Sequence, residues 1–276
     1  MRRVKRISIL GCGWLGFPLA LRLTREGYPV KGSTTRVEER NRLLHYGIPL
    51  TLLTVEENGI EGEASDFFKT DCLIITLPFK RSFSDPVVYF RHMQSVLTAV
   101  KQFSVPWVIL MSSTLVYPSH SLLAVETIDL TPDSLRGKIQ LDVEKLWLDS
   151  PDCDATILRL AGLFGPDRLP GRFLRDKAVE DDGSAPVNLV HREDVIEIIV
   201  HILQRKCQNE IFNICADTHP TKKEFYTYSA QKQGFPLPVF SSEPSSKYKI
   251  VDNTKIKTLL GYTFRYGNLM KLFSFY

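Results

Sequence analysis

Ile7-Ser8-Ile9-Leu10-Gly11-Cys12-Gly13-Trp14-Leu15-Gly16 decides the reading of this 276-residue chain, because a β-prone apolar run breaks there into a glycine turn and then an amphipathic helix. The glycine spacing is G-x-G-x-x-G. Gly11 permits the tight turn after the strand, Gly13 lets the backbone approach a pyrophosphate with no Cβ in the way, and Gly16 lets the helix pack close on the strand. The helix start at Trp14, Leu15 and Gly16 offers orphan N–H donors and the positive end of a dipole to phosphates. Such a string occurs by chance, so its context carries the reading. A strand precedes it at the chain start, and Leu19, Ala20, Leu21 and Leu23 continue a helix that Gly27 stops. A dinucleotide cofactor is the expectation, against the blander alternative of a merely tight strand-to-helix turn.

Outward from the turn, residues 29–35 read as a second strand ending at Arg36, twenty residues beyond Gly16. An acid near this point holds the ribose 2′-hydroxyl of NAD, whereas an Arg accommodates the 2′-phosphate of NADP. Thr34, Thr35, Arg36 and Arg40 stand there instead of an acid, which favours NADP while leaving NAD open. The alternative is that Arg36 only begins an exposed helix with Glu38 and Glu39. Residues 48–54 read as a third strand, and the acidic, glycine-interrupted stretch 56–63 leaves room for little more than a turn. Residues 72–78 form a continuous apolar run of the kind a strand buried on both faces needs. Its end, Leu77 and Pro78, is expected at the carboxyl edge of the sheet beside the cofactor. A helix over 85–103 with Asp85 as cap, a strand over 107–111 and a helix over 133–148 capped by Thr131 follow, the last with a stripe of Leu135, Ile139, Val143 and Leu146. Residues 155–160 and 211–214 read as strands, 161–166 as a loop, 187–191 as a short strand, and 193–203 and 221–233 as helices. Strands alternating with helices call for a parallel sheet with helices on both faces.

Composition bounds the function. Hydrophobic content of 43% and charged content of 24% are ordinary for a globular protein, and no apolar run approaches the ~18 residues of a membrane span. The basic start at Met1–Arg6 lacks the long apolar run and cleavage site of a signal peptide. A formal charge of +4 is modest and its Lys and Arg are unclustered, which argues against nucleic acid and for a small anionic substrate. The five cysteines form no C-x-x-C pair, so reduced thiols in a cytoplasmic protein are expected.

With these pieces in order, the chain resembles the extended or atypical short-chain dehydrogenase/reductase superfamily, the group of nucleotide-sugar epimerases and dehydratases, over nearly its whole length. Beside the glycine turn, the resemblance is carried by Ser112-Ser113-Thr114-Leu115-Val116-Tyr117, by Leu158-Arg159-Leu160-Ala161-Gly162-Leu163-Phe164-Gly165-Pro166, and by Asn188-Leu189-Val190-His191-Arg192-Glu193-Asp194-Val195. Extended members space the first turn G-x-x-G-x-x-G, so the spacing here points to the atypical branch. Chemistry in that group rests on a Tyr and a Lys four residues later, with a Ser or Thr from the preceding strand. Ser113 matches the hydroxyl position. Counting back from Glu144, which matches a family acid, the Tyr position falls on Arg136 and the Lys position on Gln140. A guanidinium stays protonated near neutrality and exchanges no proton, though it is an excellent fork for phosphate or carboxylate. Tyr117 stands as an alternative acid, with packing beneath the loop as its plainer role.

Other candidates weigh less. Tyr228-Ser229-Ala230-Gln231-Lys232 is a literal Y-x-x-x-K, but it falls in a carboxyl-terminal helix far along the chain from Ser113. His191 and Asp194 read as hydrogen-bonding structure, Arg159 as an anchor of its strand's end, and Arg172 and Arg175 as either substrate contacts or a solvated face. No metal-ligand spacing and no G-x-S-x-G elbow occurs.

The expectation is therefore an α/β fold, a Rossmann-like doubly wound parallel sheet with a small C-terminal substrate lobe. Residues 1–165, with returning elements near 187–215, make the dinucleotide-binding domain, and 166–276 a discontinuous lobe, with ligand in the crevice between them. Gly11, Gly13, Trp14, Leu15, Gly16, Thr35, Arg36, Leu77, Pro78, Ser112 and Ala161 are the expected cofactor-binding residues. Ser113, Arg136, Gln140 and Tyr117 are the expected catalytic ones. Two activities stay open: an NADP-dependent oxidoreductase or epimerase/dehydratase-like enzyme in which Ser113 and Arg136 orient substrate, and a catalytically silent NADP-binding sensor or docking protein. The resemblance further implies a homodimer through the helices at 85–103 and 133–148.

Overall fold

All four residues of β1 (Ile7–Leu10) are buried, which is what a strand covered on both faces of a parallel sheet requires. The computed structural model describes residues 4–274 apart from 81, 84, 121, 122, 176, 246 and 247; the side chains of 40–43, 273 and 274 also lie outside the description, Arg40 among them. After β1 come α1 (Gly16–Arg25), β2 (Val30–Thr34), α2 (Val37–Leu44), β3 (Leu50–Glu56), β4 (Gly59–Gly62), α3 (Ala64–Phe67), β5 (Cys72–Ile75), α4 (Val87–Phe103), β6 (Trp107–Ser113), α5 (Leu135–Leu148) and β7 (Asp154–Leu160). Then follow β8 (Gly162–Phe164), β9 (Ala178–Val179), β10 (Leu189–His191), α6 (Arg192–Arg205), β11 (Ile211–Ile214), α7 (Lys222–Lys232), β12 (Val239–Phe240) and α8 (Thr254–Leu260). Among the described residues no helix is long and apolar enough to cross a membrane.

The main sheet has eight strands in the order β11-β7-β6-β5-β1-β2-β3-β4. β1 lies between β2 and β5, parallel to both, with Ile7 opposite Val30 and Cys72; β2–β3 and β5–β6 are also parallel. This is the expected α/β architecture, and the strand order turns back beside β1, where open sheets of this kind present a crevice at their carboxyl ends.

The chain divides into two compact units. The first comprises the residues up to Leu115, Ser134–Leu158 and Ile199–Ile211; the second comprises Val116–Asp133, Arg159–Ile198 and the residues from Phe212 on, so the chain first enters it well before residue 166. In the first unit, Tyr89, Met93, Val96 and Val100 of α4 and Trp147 of α5 pack with Leu73, Ile75, Val108 and Leu110 in one apolar cluster. In the second, Phe164, Leu189, Phe225, Tyr266 and Leu269 make a separate core. There β8 pairs with β10 and β9 with β12, each in parallel.

Four details differ from the sequence reading. Residues 56–63 are not a bare turn: β4 folds back antiparallel on β3, with Gly62 at φ +107° and so close that a Cβ there would stand 2.1 Å from the Leu52 carbonyl oxygen. Only glycine allows that pairing, and glycine is what disguised the strand. Residues 162–164, read as loop, are β8. The cap of α5 is Ser134, whose hydroxyl accepts the Gly137 N–H, not Thr131. The buried face of α5 holds Ile139 and Val143 of the expected stripe, with Leu146 packed against the core, but also Gln140, Glu144 and Trp147, while Leu135 is 59% exposed.

Candidate functional site

Where β1 ends, the three glycines answer to three different constraints. Gly11 lies at φ +100°, a left-handed conformation that side chains rarely adopt. A Cβ on Gly16 would stand 2.2 Å from the Gly11 carbonyl oxygen, so only glycine lets α1 start this close to the strand. Gly13 is exposed, and a Cβ there would meet nothing within 4 Å. The protein itself therefore makes no demand for glycine at Gly13, whereas a ligand lying against the backbone does.

The turn is held from beneath. Gly11 N–H donates to Ser33 Oγ at 3.0 Å, Thr76 Oγ1 donates to the Gly11 carbonyl at 2.6 Å, and Cys12 N–H donates to the Ser33 carbonyl at 2.8 Å. Burial pushes the Cys12 thiol up to about 12, and its Sγ packs where a Cβ on Gly32 would be, so it is a small filler and not a nucleophile. At the head of α1, Leu15 provides no side-chain cap and the first turn carries no acid, while Arg22 and Arg25 occupy the last turn. The positive end of the dipole is thus left uncompensated by side chains, as an anion-binding helix start requires. Trp14 is half-buried and Leu15 buried beside this start.

At the end of β2, Thr34 Oγ1 accepts the Arg36 N–H at 3.1 Å. Thr35 and Arg36 are exposed, and the Arg36 guanidinium makes no hydrogen bond or ion pair among the described residues. Beyond β5, Leu77 leans on Gly11, its Cδ2 only 3.0 Å from where a Cβ would be, and Pro78 is exposed.

The carboxyl end of β6 meets α5. Ser112 is buried and its hydroxyl donates to Glu144 Oε1 at 2.5 Å; Glu144 itself is fully buried. Ser113 is half-buried, and its Oγ accepts the Leu115 N–H at 3.2 Å, which leaves its own proton to donate elsewhere. Arg136, Gln140 and Glu144 recur every fourth residue and so follow one side of α5. Arg136 is engaged: its guanidinium donates to the carbonyls of Phe79 and Lys80 at 2.5 and 3.0 Å and stacks 3.8 Å over the Phe79 ring. It ties the segment after β5 to α5. Gln140 is 2% exposed, and its Nε2 has no hydrogen-bond partner among the described residues.

In the second unit Tyr117 is 1% exposed and committed. Its hydroxyl donates to Asn213 Oδ1 at 2.7 Å and accepts from Arg159 Nη1 at 2.8 Å, and burial raises its pKa despite the guanidinium. That geometry corrects the reading of Tyr117 as an alternative acid: the phenol is part of a buried lattice that also uses the Glu126 carbonyl, reached by Arg159 at 3.3 Å. Ala161 is buried, with its N–H bonded to the Ile214 carbonyl at 3.0 Å. His191 lies between the rings of Phe164 and Tyr266, accepts the Glu193 N–H at Nδ1, and is driven by burial down to about 4. Asp194 accepts from Tyr262 Oη and from the N–H groups of Arg265 and Tyr266. This pair is structural, as its sequence context implies.

Arg172 stacks 5.2 Å from the Phe235 ring, and Arg175 is exposed. Tyr228 and Lys232 sit on α7, with the exposed ammonium 5.7 Å over the phenol ring. One residue that sequence reasoning missed is Lys249. It donates to the Tyr117 carbonyl at 2.9 Å and is drawn by burial down to about 8, with Asp133 opposing. No spacing signal marks it, because its partners lie more than a hundred residues away. All five cysteines are free, and among the described residues no three His, Cys, Asp or Glu gather as a metal site.

The glycine turn and uncapped helix start fit a dinucleotide on the geometry alone, and comparison with known proteins agrees. The model of the NAD dependent epimerase/dehydratase family matches residues 7–215. Protein YeeZ of Escherichia coli K12 is 36% identical over 266 residues, covering 95% of this chain and 97% of YeeZ. Among solved structures, a functionally unknown conserved protein from Silicibacter pomeroyi superposes with a TM-score of 0.78 at 24% identity, over 98% of this chain and 97% of its own. UDP-glucuronic acid 4-epimerase from Bacillus cereus, in complex with UDP-glucuronic acid and NAD, gives 0.78 at 19% identity, over 98% and 96%. At such identities these two likenesses are likenesses of fold. The chain belongs to the NAD-dependent epimerase/dehydratase family.

Proposed function

We propose that this protein binds a nicotinamide dinucleotide with its diphosphate against residues 11–16, and acts as an oxidoreductase or epimerase/dehydratase-like enzyme on a small anionic or sugar-like molecule. The observation that carries this reading is Gly13: an exposed glycine with negative φ, which the fold does not need, placed before an uncapped helix start. Gly11, Trp14, Leu15 and Gly16 supply the rest of the cradle, and Thr35, Leu77, Pro78 and Ser112 its wider lining. Bound nicotinamide supplies hydride exchange. The chain's own part is orientation. Ser113, its acceptor side taken by Leu115 N–H, donates its proton to a substrate oxygen. Arg136 is a positioning residue, because its guanidinium fixes the backbone of 79–80 beside the end of β5.

NADP is the proposed form of the cofactor, with the unpaired Arg36 guanidinium meeting the 2′-phosphate. Calorimetric titration checks this: wild type takes NADP more tightly than NAD, and Arg36→Asp reverses the order. Tighter NAD binding by wild type contradicts it. Five free thiols fit a cytoplasmic setting, and pairing of two copies through α4 and α5 is the proposed assembly.

A second reading is a catalytically silent sensor of the cofactor. It is favoured by Arg136, whose guanidinium is spent on backbone carbonyls, and by Gln140, whose amide transfers no proton. Oxidation of NADPH or NADH with a panel of carbonyl compounds and nucleotide sugars separates the two. The enzyme gives turnover that Ser113→Ala abolishes while cofactor affinity is kept; the sensor binds cofactor and turns over nothing.

A further inference from the structure

A crossover between parallel strands usually carries a full helix. Between β3 and β5 this chain has the antiparallel β4 and the four-residue α3 instead. Between these elements and α4 lies a cavity of about 560 Å³, within the ~300–1,000 Å³ typical of small-molecule sites. β4 is the last strand of the sheet, and β2 and β3 stand between it and β1, so the cavity is separate from the glycine turn. Its walls are tied together. Glu57, in the turn between β3 and β4, accepts from Arg91 Nη1 at 2.6 Å through its carboxylate and from the Ser95 hydroxyl at 3.0 Å through its carbonyl. The lining sets the class of ligand. Its apolar part includes Ile60 and Phe103, both half-buried and packed against the core of the first unit. Its polar part includes Asn58, Glu63, Gln94 and Gln102, all exposed, whose amides and carboxylate make no hydrogen bond or ion pair among the described residues. No Lys or Arg lines the cavity among the described residues, so a phosphate or carboxylate meets no cation there. Arg91 already neutralises Glu57, so little net charge remains to hold a cation.

We propose that this cavity is a second binding site, distinct from the cofactor site, for a neutral mono- or disaccharide, with sugar hydroxyls on Asn58, Glu63, Gln94 and Gln102 and an apolar ring face on Ile60 and Phe103. An amide both donates and accepts, as a hydroxyl does, and a carboxylate accepts from two hydroxyls at once. Few polar groups set beside apolar surface are what orient a small ligand and give it specificity. Because Glu57 ties the hairpin to α4 before any ligand arrives, the site is already formed and binding costs little ordering.

The test is heteronuclear NMR of wild type titrated with glucose, galactose, N-acetylglucosamine and maltose, with inorganic phosphate and spermidine as charged comparisons. The expected result is saturable shifts in the millimolar range at residues 58–63 and 94–103 with at least one neutral sugar, and none there with phosphate or spermidine. The double variant Gln94→Ala with Gln102→Ala changes two exposed helix positions to the best helix former, so it keeps the wild-type melting temperature. It binds that sugar about ten-fold more weakly, by the size of two lost hydrogen bonds, while its affinity for NAD and NADP is that of wild type. No shift at those residues with any of the sugars, equal sugar affinity in the double variant, or the same shifts from spermidine overturns the inference. Shifts there on raising protein concentration alone mark an interface between copies and overturn it as well.

Discussion

Burial decides what His191 can do. Its ring is 1% exposed, and loss of hydration holds its pKa near 4 against 6.5 for a free imidazole. Between those values the unfolded chain binds a proton that the folded one refuses. The neutral ring thus contributes in full above pH 6.5, and that contribution is lost as pH falls from 6.5 to about 4. The gap corresponds to about 3 kcal/mol. Urea unfolding at pH 7.5 and 4.5 checks it: His191→Gln loses about that much less stability than wild type over the interval, and equal losses contradict the account. At this scale the sequence was a partial guide. His191, Asp194 and Arg159 read as structure and are structure. Tyr117 offered a free phenol to the sequence, but its partners Asn213 and Arg159 are 96 and 42 residues away, and no local pattern announces them. Lys249 was invisible for the same reason.

Elements were legible where the apolar period was long. β1, β5, β6 and α4 carry runs of buried residues that match their strand or helix period. β4 and β8 escaped because four and three residues, with glycines among them, give no period to read. α5 shows a subtler failure. Its helix was plain and its face right at Ile139 and Val143, yet its cap was misplaced and its face incomplete, because Ser134 competes with Thr131 for the same signal and Gln140 and Glu144 are polar residues on the buried side. The cap is testable. Ser134→Ala removes the acceptor for Gly137 N–H and costs about 1 kcal/mol in urea unfolding, whereas Thr131→Ala leaves stability within about 0.5 kcal/mol. Equal costs would place the cap at Thr131 after all.

For the molecule as a whole, the glycine turn and the alternation of strand and helix were enough to read the α/β fold, and the stretches 112–117, 158–166 and 188–195 beside that turn to read its family, because each is a local pattern. The site was legible on its β1 side, where turn and helix start are contiguous in sequence. The proposed α5 side was harder to read, because packing and not spacing decides which polar residues of that helix are buried. The proposed function depends on a diphosphate resting against the backbone at Gly13. Calorimetric titration of wild type and Gly13→Val with NADP and NAD tests that most directly, since a Cβ there has no protein atom within 4 Å beyond its chain neighbours and stands where the diphosphate is proposed to lie. The account predicts saturable binding by wild type, and no heat from a variant that melts at the wild-type temperature. Wild-type affinity in Gly13→Val, or silence from wild type itself, would contradict it.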